Sequence, residues 1–546
     1  LGTKVDGKEG IPFRAAMVHD AFSLQRSPHP TRLRRPTFPP GEGVTKGRSK
    51  TMDLTLYPLG EYIQLLQRKN LQLDFSGAPL TREVALVSCD SRDVIPGTLF
   101  ICKGAHFKPE FLQSAKEKGA FVYLSEKKYD QVDLPCIQVS DVRLAMAYLA
   151  DFYYNHPSAK LGVVGVTGTK GKSTTTYYLK YIFDEYLAAK KQAPSGVIGG
   201  IETYDGVEKF ESHLTTPEPL ELERHFANAV SSGIRYLSME VSSQALKYKR
   251  VRGLKFDVGI FLNISEDHIS PCEHENFEDY FTSKLSLFKQ TKVACVNLDS
   301  AEKERILSAS QIAEKVLTFG TTGAPDIWGH DIEMHGGRIS FWVRCDRFHE
   351  KFNLRMHGLF NVENALAAIT AAYAYGVDVD SMKEALANVQ VKGRMEEFES
   401  RDRKLVAIVD YAHNRLSFEK LYDSVYKEYP GYEIYTVFGC PGDKALNRRR
   451  DLGLISGLFS NRVYLTTDDP GTESVTRISE ETGHYVEMVG CPCECIEDRA
   501  LAIHRAIQDA GEKTVVLVLG KGSEGRQRFG NLTYDCPTDS EMVRKS

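Results

Sequence analysis

Residues 163–174, VVGVTGTKGKST, carry the first pattern in the chain whose residue types and spacing specify chemistry. An apolar, β-type stretch runs into a glycine-rich turn, and TTTYYLKYIFDEYL follows as a helix. Glycines let backbone amides face phosphate oxygens, and the helix N-terminus adds favourable partial charge. In this arrangement Lys172 reaches the terminal phosphates and Ser173 offers a hydroxyl to Mg²⁺, with Thr169, Lys170, Gly171 and Thr174 completing the cradle. The strict spacing of the commonest phosphate loop is not met, because Val166 stands where its first glycine belongs. A protein that handles a nucleotide polyphosphate also needs anionic metal ligands on neighbouring strand ends. SMEVSSQAL places Glu240 at the end of such a strand, between the apolar Met239 and Val241.

Those side chains need a scaffold of alternating strands and helices. At 546 residues the chain exceeds one hydrophobic core, and 42% hydrophobic with 26% charged residues is the balance of a globular protein. A formal charge of −4 gives no electrostatic case for nucleic acid or an anionic membrane. No apolar run approaches the roughly 18 to 20 residues that span a bilayer. Cys491, Cys493 and Cys495 lack zinc-site spacing and read as inert thiols, and an odd cysteine count suits a reducing cytosol. Residues 1–51 are basic, rich in Pro, Gly and Ser and without periodicity, and read as a disordered extension or upstream segment.

From residue 52 onward, TLYPLGEYIQLLQ reads as helix, VALVSCDSRDVIPGTLFICKG as strand, turn and strand, and FLQSAKEKGAFVYLSE as helix into strand. YLSMEV, KFDVGIFLN and KVACVNLD are further buried strands, and NVENALAAITAAYAYG is an amphipathic helix ending at glycine. KLVAIVDY, EIYTVFG, RVYLTT and TVVLVLG suggest a Rossmann-like sheet. The expected class is α/β with three domains: an N-terminal domain at 52–158, a central P-loop-type domain at 159–391 and a C-terminal Rossmann-like domain at 392–546.

TGTKGKST resembles the phosphate loop of the muramyl ligase and folylpolyglutamate synthetase superfamily, and the resemblance extends from about residue 88 to 527. It implies an ATP-dependent ligase with Mg²⁺. On that reading His268 of LNISEDHIS is a second-metal ligand, and Lys284 of YFTSKLSLF is a carbamylated lysine facing the metal beside Ser173 and Glu240. SCDSRDVIPGTLFICKG is similar to the family's uridine-nucleotide element and implicates Ser91 and Lys103. LTTPEPLEL brings Thr215 and Thr216, and EVSSQALKYKR brings Ser242, Gln244 and Arg250, to the muramoyl-dipeptide end. Gln244 replaces a common histidine, and Tyr248 stands where glutamine is frequent. HGLFNVENALAA implies that Asn364 meets the adenosine. VKGRMEEF and IVDYAHN imply that Arg394, Asp410 and His413 hold ATP or the closing C-terminal domain.

The third domain resembles the family's amino-acid pocket. FGCPGDKALNRRR places Arg449 where a substrate carboxylate is expected, and LGKGSEGRQ supplies Gly520 and Glu524. TTDDPGTE gives Asp468, Asp469, Pro470 and Gly471 where diaminopimelate-adding relatives typically show D-N-P-R. Without that arginine a distal carboxylate goes unpaired, whereas an acidic pocket suits the ammonium of L-lysine. Arg526 or Arg528 remains a possible substitute. The implied partners are UDP-N-acetylmuramoyl-dipeptide and a free amino acid, lysine favoured, joined by a cytoplasmic monomer in peptidoglycan synthesis. The alternatives are a diaminopimelate-adding member, a folylpolyglutamate-type ligase, or an inactive nucleotide-binding regulator.

Overall fold

Short runs of Val, Ile, Leu and Phe become strands covered on both faces, which is what crossover helices on either side of a parallel sheet require. The computed structural model describes residues 55–546 apart from 105–106, 213, 267–268, 270–272, 336–337 and 401–404. The expected extension at 1–51 and the candidate ligand His268 lie outside the described residues. The described residues form one compact unit built on three main sheets.

The N-terminal sheet has five strands in the order Gln72–Ser76, Cys136–Val139, Ala120–Ser125, Thr98–Ile101 and Leu86–Ser88. Its first pair is antiparallel and the remaining pairs are parallel.

The central sheet has eleven strands. Its parallel heart runs Lys315–Gly320, Thr291–Asn297, Phe256–Phe261, Gly162–Thr167, Tyr236–Glu240 and Gly196–Ile198. The phosphate loop leaves Gly162–Thr167, so Glu240 and the residues after Phe261 emerge from its two neighbours at the same sheet edge. An antiparallel meander, Ile327–His335, Arg338–Arg344 and His349–Leu354, extends the sheet on one side. The sequence reading did not include it. Helix Phe360–Ala374 departs from the expected amphipathic pattern: twelve of its fifteen residues are buried, since it packs on the central sheet and against helices Lys172–Ala188 and Val379–Asn388.

The C-terminal sheet runs Glu396–Glu399, Leu405–Asp410, Thr514–Leu519, Glu433–Phe438, Arg462–Leu465 and Cys493–Cys495, antiparallel only at Glu396–Glu399. The four strand candidates of this region are all present. The observed class is therefore the expected α/β one. Asn414 caps helix Arg415–Glu428 in a reciprocal capping box with Ser417, fixing how the chain turns after Asp410.

Candidate active site

The phosphate loop is shaped by its neighbours as well as by its own glycines. Gly171 has φ +86, and the Asn364 side chain occupies the space where a Cβ would project. Asn263 brackets the same loop: its Oδ1 accepts from Lys170 N (2.9 Å) and its Nδ2 donates to Lys170 O (3.2 Å). Tyr280 OH donates to Thr169 Oγ1 (3.1 Å). Two ammonium groups converge on one loop carbonyl. Lys172 Nζ lies 3.0 Å and Lys284 Nζ 2.8 Å from Gly168 O. Lys284 is almost fully buried, with its Nζ 4.6 Å from the Tyr280 ring centroid.

Glu240 is equally buried, and its Oε1 accepts from Gly200 N at 2.7 Å. Its backbone carbonyl accepts from Thr216 Oγ1 (3.0 Å), and the Thr216 hydroxyl also receives Ser242 N (3.1 Å). The Ser173 hydroxyl and the Glu240 carboxylate are hard oxygen donors of the kind Mg²⁺ takes, so the residues present fit that ion.

The C-terminal sheet contributes the opposite wall. Arg394 stacks on Tyr411, 4.4 Å from guanidinium carbon to ring centroid, and its Nη2 reaches 3.4 Å from Ser173 Oγ. Asp410 Oδ2 accepts from Met395 N (2.8 Å), next to Arg394, and its Oδ1 from Ala412 N (2.7 Å), next to Tyr411. Burial pushes the Asp410 carboxyl above its ordinary value, against the pull of Arg394 and Lys170. His413 Nδ1 is 2.7 Å from Tyr411 O. Between these walls lies a cavity of about 450 Å³ lined by Thr169, Lys170, Gly171, Lys172, Ser173, Thr174, Thr215, Glu240, Asn364, Arg394, Asp410, His413 and Glu524. Asn263, Asn361, Tyr411 and Lys420 also line it. Asn263, Asn361 and Tyr411 fall inside motifs read for other residues, which is the signal that could have found them; Lys420 is an ordinary helix lysine with none.

The other candidates are distributed differently. Lys103 and Arg250 both pair with Glu218, Arg250 Nε at 2.8 Å from its Oε1, and Arg250 Nη1 donates to Thr216 O (3.2 Å). Gln244 is turned to Glu273 Oε1 (3.0 Å), and Ser91 offers its carbonyl to Lys118 Nζ (2.8 Å); neither lines a cavity described here. A second cavity, about 880 Å³, opens at the edge of the N-terminal sheet instead, lined by Gly104, Phe107, Lys127, Tyr129, Arg143, Lys247, Tyr248 and Lys249 among others.

In the C-terminal part, Arg449, expected to face the substrate carboxylate, lies against two carboxylates of the chain itself. It is 3% exposed and already donates to Glu473 (2.7 Å) and Glu481 (2.8 Å). Lys521 Nζ lies 3.0 Å from both Asp469 Oδ1 and Glu524 Oε2, and Tyr411 OH donates to Glu524 Oε1 (2.7 Å). Asp468 lies next to Gly520, and desolvation pushes its carboxyl up to about 6 although Lys521 and Arg499 pull it down. Gly471 follows the buried Pro470 and adjoins Asp443. Arg526 Nη2 is committed to Glu211 Oε1 (3.2 Å) and Ser212 O (3.0 Å), and Arg528 Nε to Gly530 O (3.1 Å).

Comparison with known proteins agrees with this geometry. Residues 166–372 match the Mur ligase middle domain, and residues 393–522 match the Mur ligase glutamate ligase domain. The chain is 38% identical to a UDP-N-acetylmuramoyl-L-alanyl-D-glutamate–L-lysine ligase of Streptococcus thermophilus, over 84% of this chain and 92% of that protein. It is 36% identical to a UDP-N-acetylmuramyl-tripeptide synthetase of Lactobacillus acidophilus, over 84% and 91% respectively. Among solved structures, a UDP-N-acetylmuramoyl-L-alanyl-D-glutamate–2,6-diaminopimelate ligase superposes with TM-score 0.62 at 25% identity, covering 90% of this chain and 98% of that one. With both domain signatures in order around one phosphate-loop cavity, the chain belongs to the Mur ligase family of ATP-dependent amino-acid ligases.

Proposed function

We propose that the chain adds L-lysine to the D-glutamate γ-carboxylate of UDP-N-acetylmuramoyl-L-alanyl-D-glutamate, with ATP as the driving substrate. The observation that carries this is one shared cavity, lined by Lys172, Ser173 and Glu240 of the central part and by Arg394 of the C-terminal part. We assign residues 52–158 to the UDP end, 159–391 to ATP and 392–546 to the incoming amino acid.

The γ-carboxylate oxygen attacks the γ-phosphorus of ATP, ADP leaves, and an acyl phosphate forms. The lysine α-amine then attacks the acyl carbon, the nitrogen loses its proton, and phosphate departs with the electron pair of the C–O bond. Lys172 and Arg394 offset the charge on the transferring phosphoryl group. Ser173 and Glu240 would hold Mg²⁺, which would neutralise phosphate charge further, and we assign His268 and Lys284 to the same metal set. A carbamate on Lys284 would add an oxygen ligand there while keeping one N–H for Gly168 O. Closure of the C-terminal part over the central one would exclude water that hydrolyses the acyl phosphate.

The 880 Å³ cavity suits the uridine diphosphate end, since aromatic and cationic side chains line it together. Lysine is favoured over diaminopimelate because Arg526 and Arg528 are committed elsewhere and position 471 is glycine, so neither offers a clamp for a second carboxylate. Both nucleotide substrates are charged and do not cross a bilayer, so the reaction is assigned to the cytosol. Among the described residues no helix is long and apolar enough to cross a membrane.

Phosphate release measured with UDP-muramoyl-dipeptide, ATP, and lysine, diaminopimelate or ornithine in turn tests the reading. Turnover is expected with lysine and lost in Lys172→Ala. No turnover with any amino acid would overturn the ligase assignment, and turnover with diaminopimelate alone would overturn the preference for lysine.

A further inference from the structure

His357 lies in the turn between strand His349–Leu354 and helix Phe360–Ala374, on the central side of the molecule. Both its ring nitrogens meet carboxylates from the C-terminal side. Nε2 is 2.9 Å from Glu397 Oε2, on strand Glu396–Glu399, and Nδ1 is 3.1 Å from Glu428 Oε2, at the end of helix Arg415–Glu428. A neutral imidazole has one N–H and an imidazolium has two, so two carboxylate acceptors call for the charged form. The Glu428 side chain is fully buried, and its Oε1 also accepts from Gly358 N at 2.8 Å. Tyr429 OH donates to Glu397 Oε2 at 2.5 Å, and Glu399 is the remaining charged group near this phenol. The groups facing the imidazole from the packed elements are thus Glu397, Glu428 and, through Glu397, Tyr429 and Glu399.

The same turn connects to the nucleotide cavity. His357 O accepts from Asn361 Nδ2 (2.5 Å), Asn361 Oδ1 accepts from Asn364 Nδ2 (2.9 Å), and Asn364 lies against Gly171. Asn361 and Asn364 both line the cavity.

We propose that His357 in its doubly protonated form is a positioning residue: it clamps the C-terminal sheet to the central one and holds the Asn361–Asn364 wall against the phosphate loop. The effect on nucleotide affinity rests on the reading of this cavity as the ATP site; the clamp itself does not. Burial works against the charge, but the hydrogen bonds and charges of Glu397 and Glu428 outweigh it and raise the pKa to about 9. The clamp is therefore closed at neutral pH and opens as pH rises through about 9.

The test uses the full chain, with His357→Gln, His357→Lys and Glu428→Gln, and two readouts: ADP affinity by calorimetry and nucleotide-free radius of gyration by solution scattering. At about pH 7, His357→Gln is expected to bind ADP about 10-fold more weakly and to scatter as a more open particle. His357→Lys, which restores one cation, should recover affinity to within about 3-fold and stay compact to about pH 9.5. The unsubstituted protein should open between about pH 7 and 9.5, while His357→Gln should show no such step. If His357→Gln does not fold, Glu428→Gln, which halves the clamp, should open at lower pH than the parent. Scattering of the folded variant indistinguishable from the parent at both pH values would overturn the clamp. A clamp-dependent change in scattering with no ADP binding by the parent would sustain the clamp and overturn the nucleotide reading instead.

Discussion

Arg394 Nη2 lies 3.4 Å from Ser173 Oγ, so a side chain of the C-terminal sheet reaches the phosphate loop of the central one. Its aim is set from behind: Tyr411 supports the guanidinium plane, and Asp410 braces Met395 and Ala412 on either side. A charged hydrogen-bond donor to phosphate is worth roughly 1.5–3 kcal/mol. Arg394→Ala is therefore expected to raise KM for ATP by about 10- to 100-fold, read from initial rates of phosphate release. Arg394→Lys should recover little, because an ammonium cannot use the flat Tyr411 support. Full recovery by lysine would show that charge alone matters at this position.

Lys284 makes a separate prediction. It is buried, yet it donates to Gly168 O beside Lys172 Nζ. Lys284→Ala leaves that carbonyl to Lys172 alone and removes the proposed oxygen ligand, and it should lower kcat by about 10²- to 10³-fold with ADP affinity changed little. Growth in ¹³C-bicarbonate followed by carbon NMR should show a carbamate resonance that Lys284→Ala lacks. A kcat within a few-fold of the parent would remove Lys284 from the catalytic set.

What could be read from the sequence divides along one physical line. The loop at 168–174 was legible because strand, turn and helix N-terminus follow one another, and local geometry alone aims the amides. Glu240 was legible for the same reason, since a strand end fixes where the next residue points. The motif around Arg449 is legible but its partners are not: Glu473 and Glu481 lie on or before a helix that starts 26 residues later, and only tertiary packing brings them to it. Gln244 turning to Glu273 and Lys103 to Glu218 are likewise long-range pairings. The meander at 327–354 was overlooked because its alternating faces carry Trp328, His330 and Trp342 on the side away from the core, which blurs the polar–apolar rhythm.

Selection of the amino acid should depend on Asp469, whose Oδ1 is held by Lys521 Nζ and Arg528 N, both at 3.0 Å. Asp469→Asn removes one negative charge from a loop proposed to face an ammonium. It should raise KM for lysine by about 10-fold and leave KM for ATP within about 2-fold. Gly471→Arg on its own should not create diaminopimelate activity. Gly471 has φ +59, and Asp443 occupies the direction its Cβ would take. Efficient diaminopimelate turnover by that single variant would show that the loop repositions more freely than its contacts indicate.

The pH dependence of lysine use follows from Asp468. Its carboxyl is raised from 3.8 to about 6, chiefly by desolvation, with Lys521 and Arg499 opposing the rise. For stability, a raised carboxyl favours the protonated form in the fold, so its contribution is complete below 3.8 and is lost as pH rises through about 6. For recognition of an ammonium the sign reverses, because only the ionised form attracts it. KM for lysine should therefore rise as pH falls below about 6, while KM for ATP follows a different profile. Asp468→Asn should flatten the lysine profile between about pH 5 and 7 and set it at the high-KM limit throughout. A variant that keeps the parental profile would place the titrating group elsewhere.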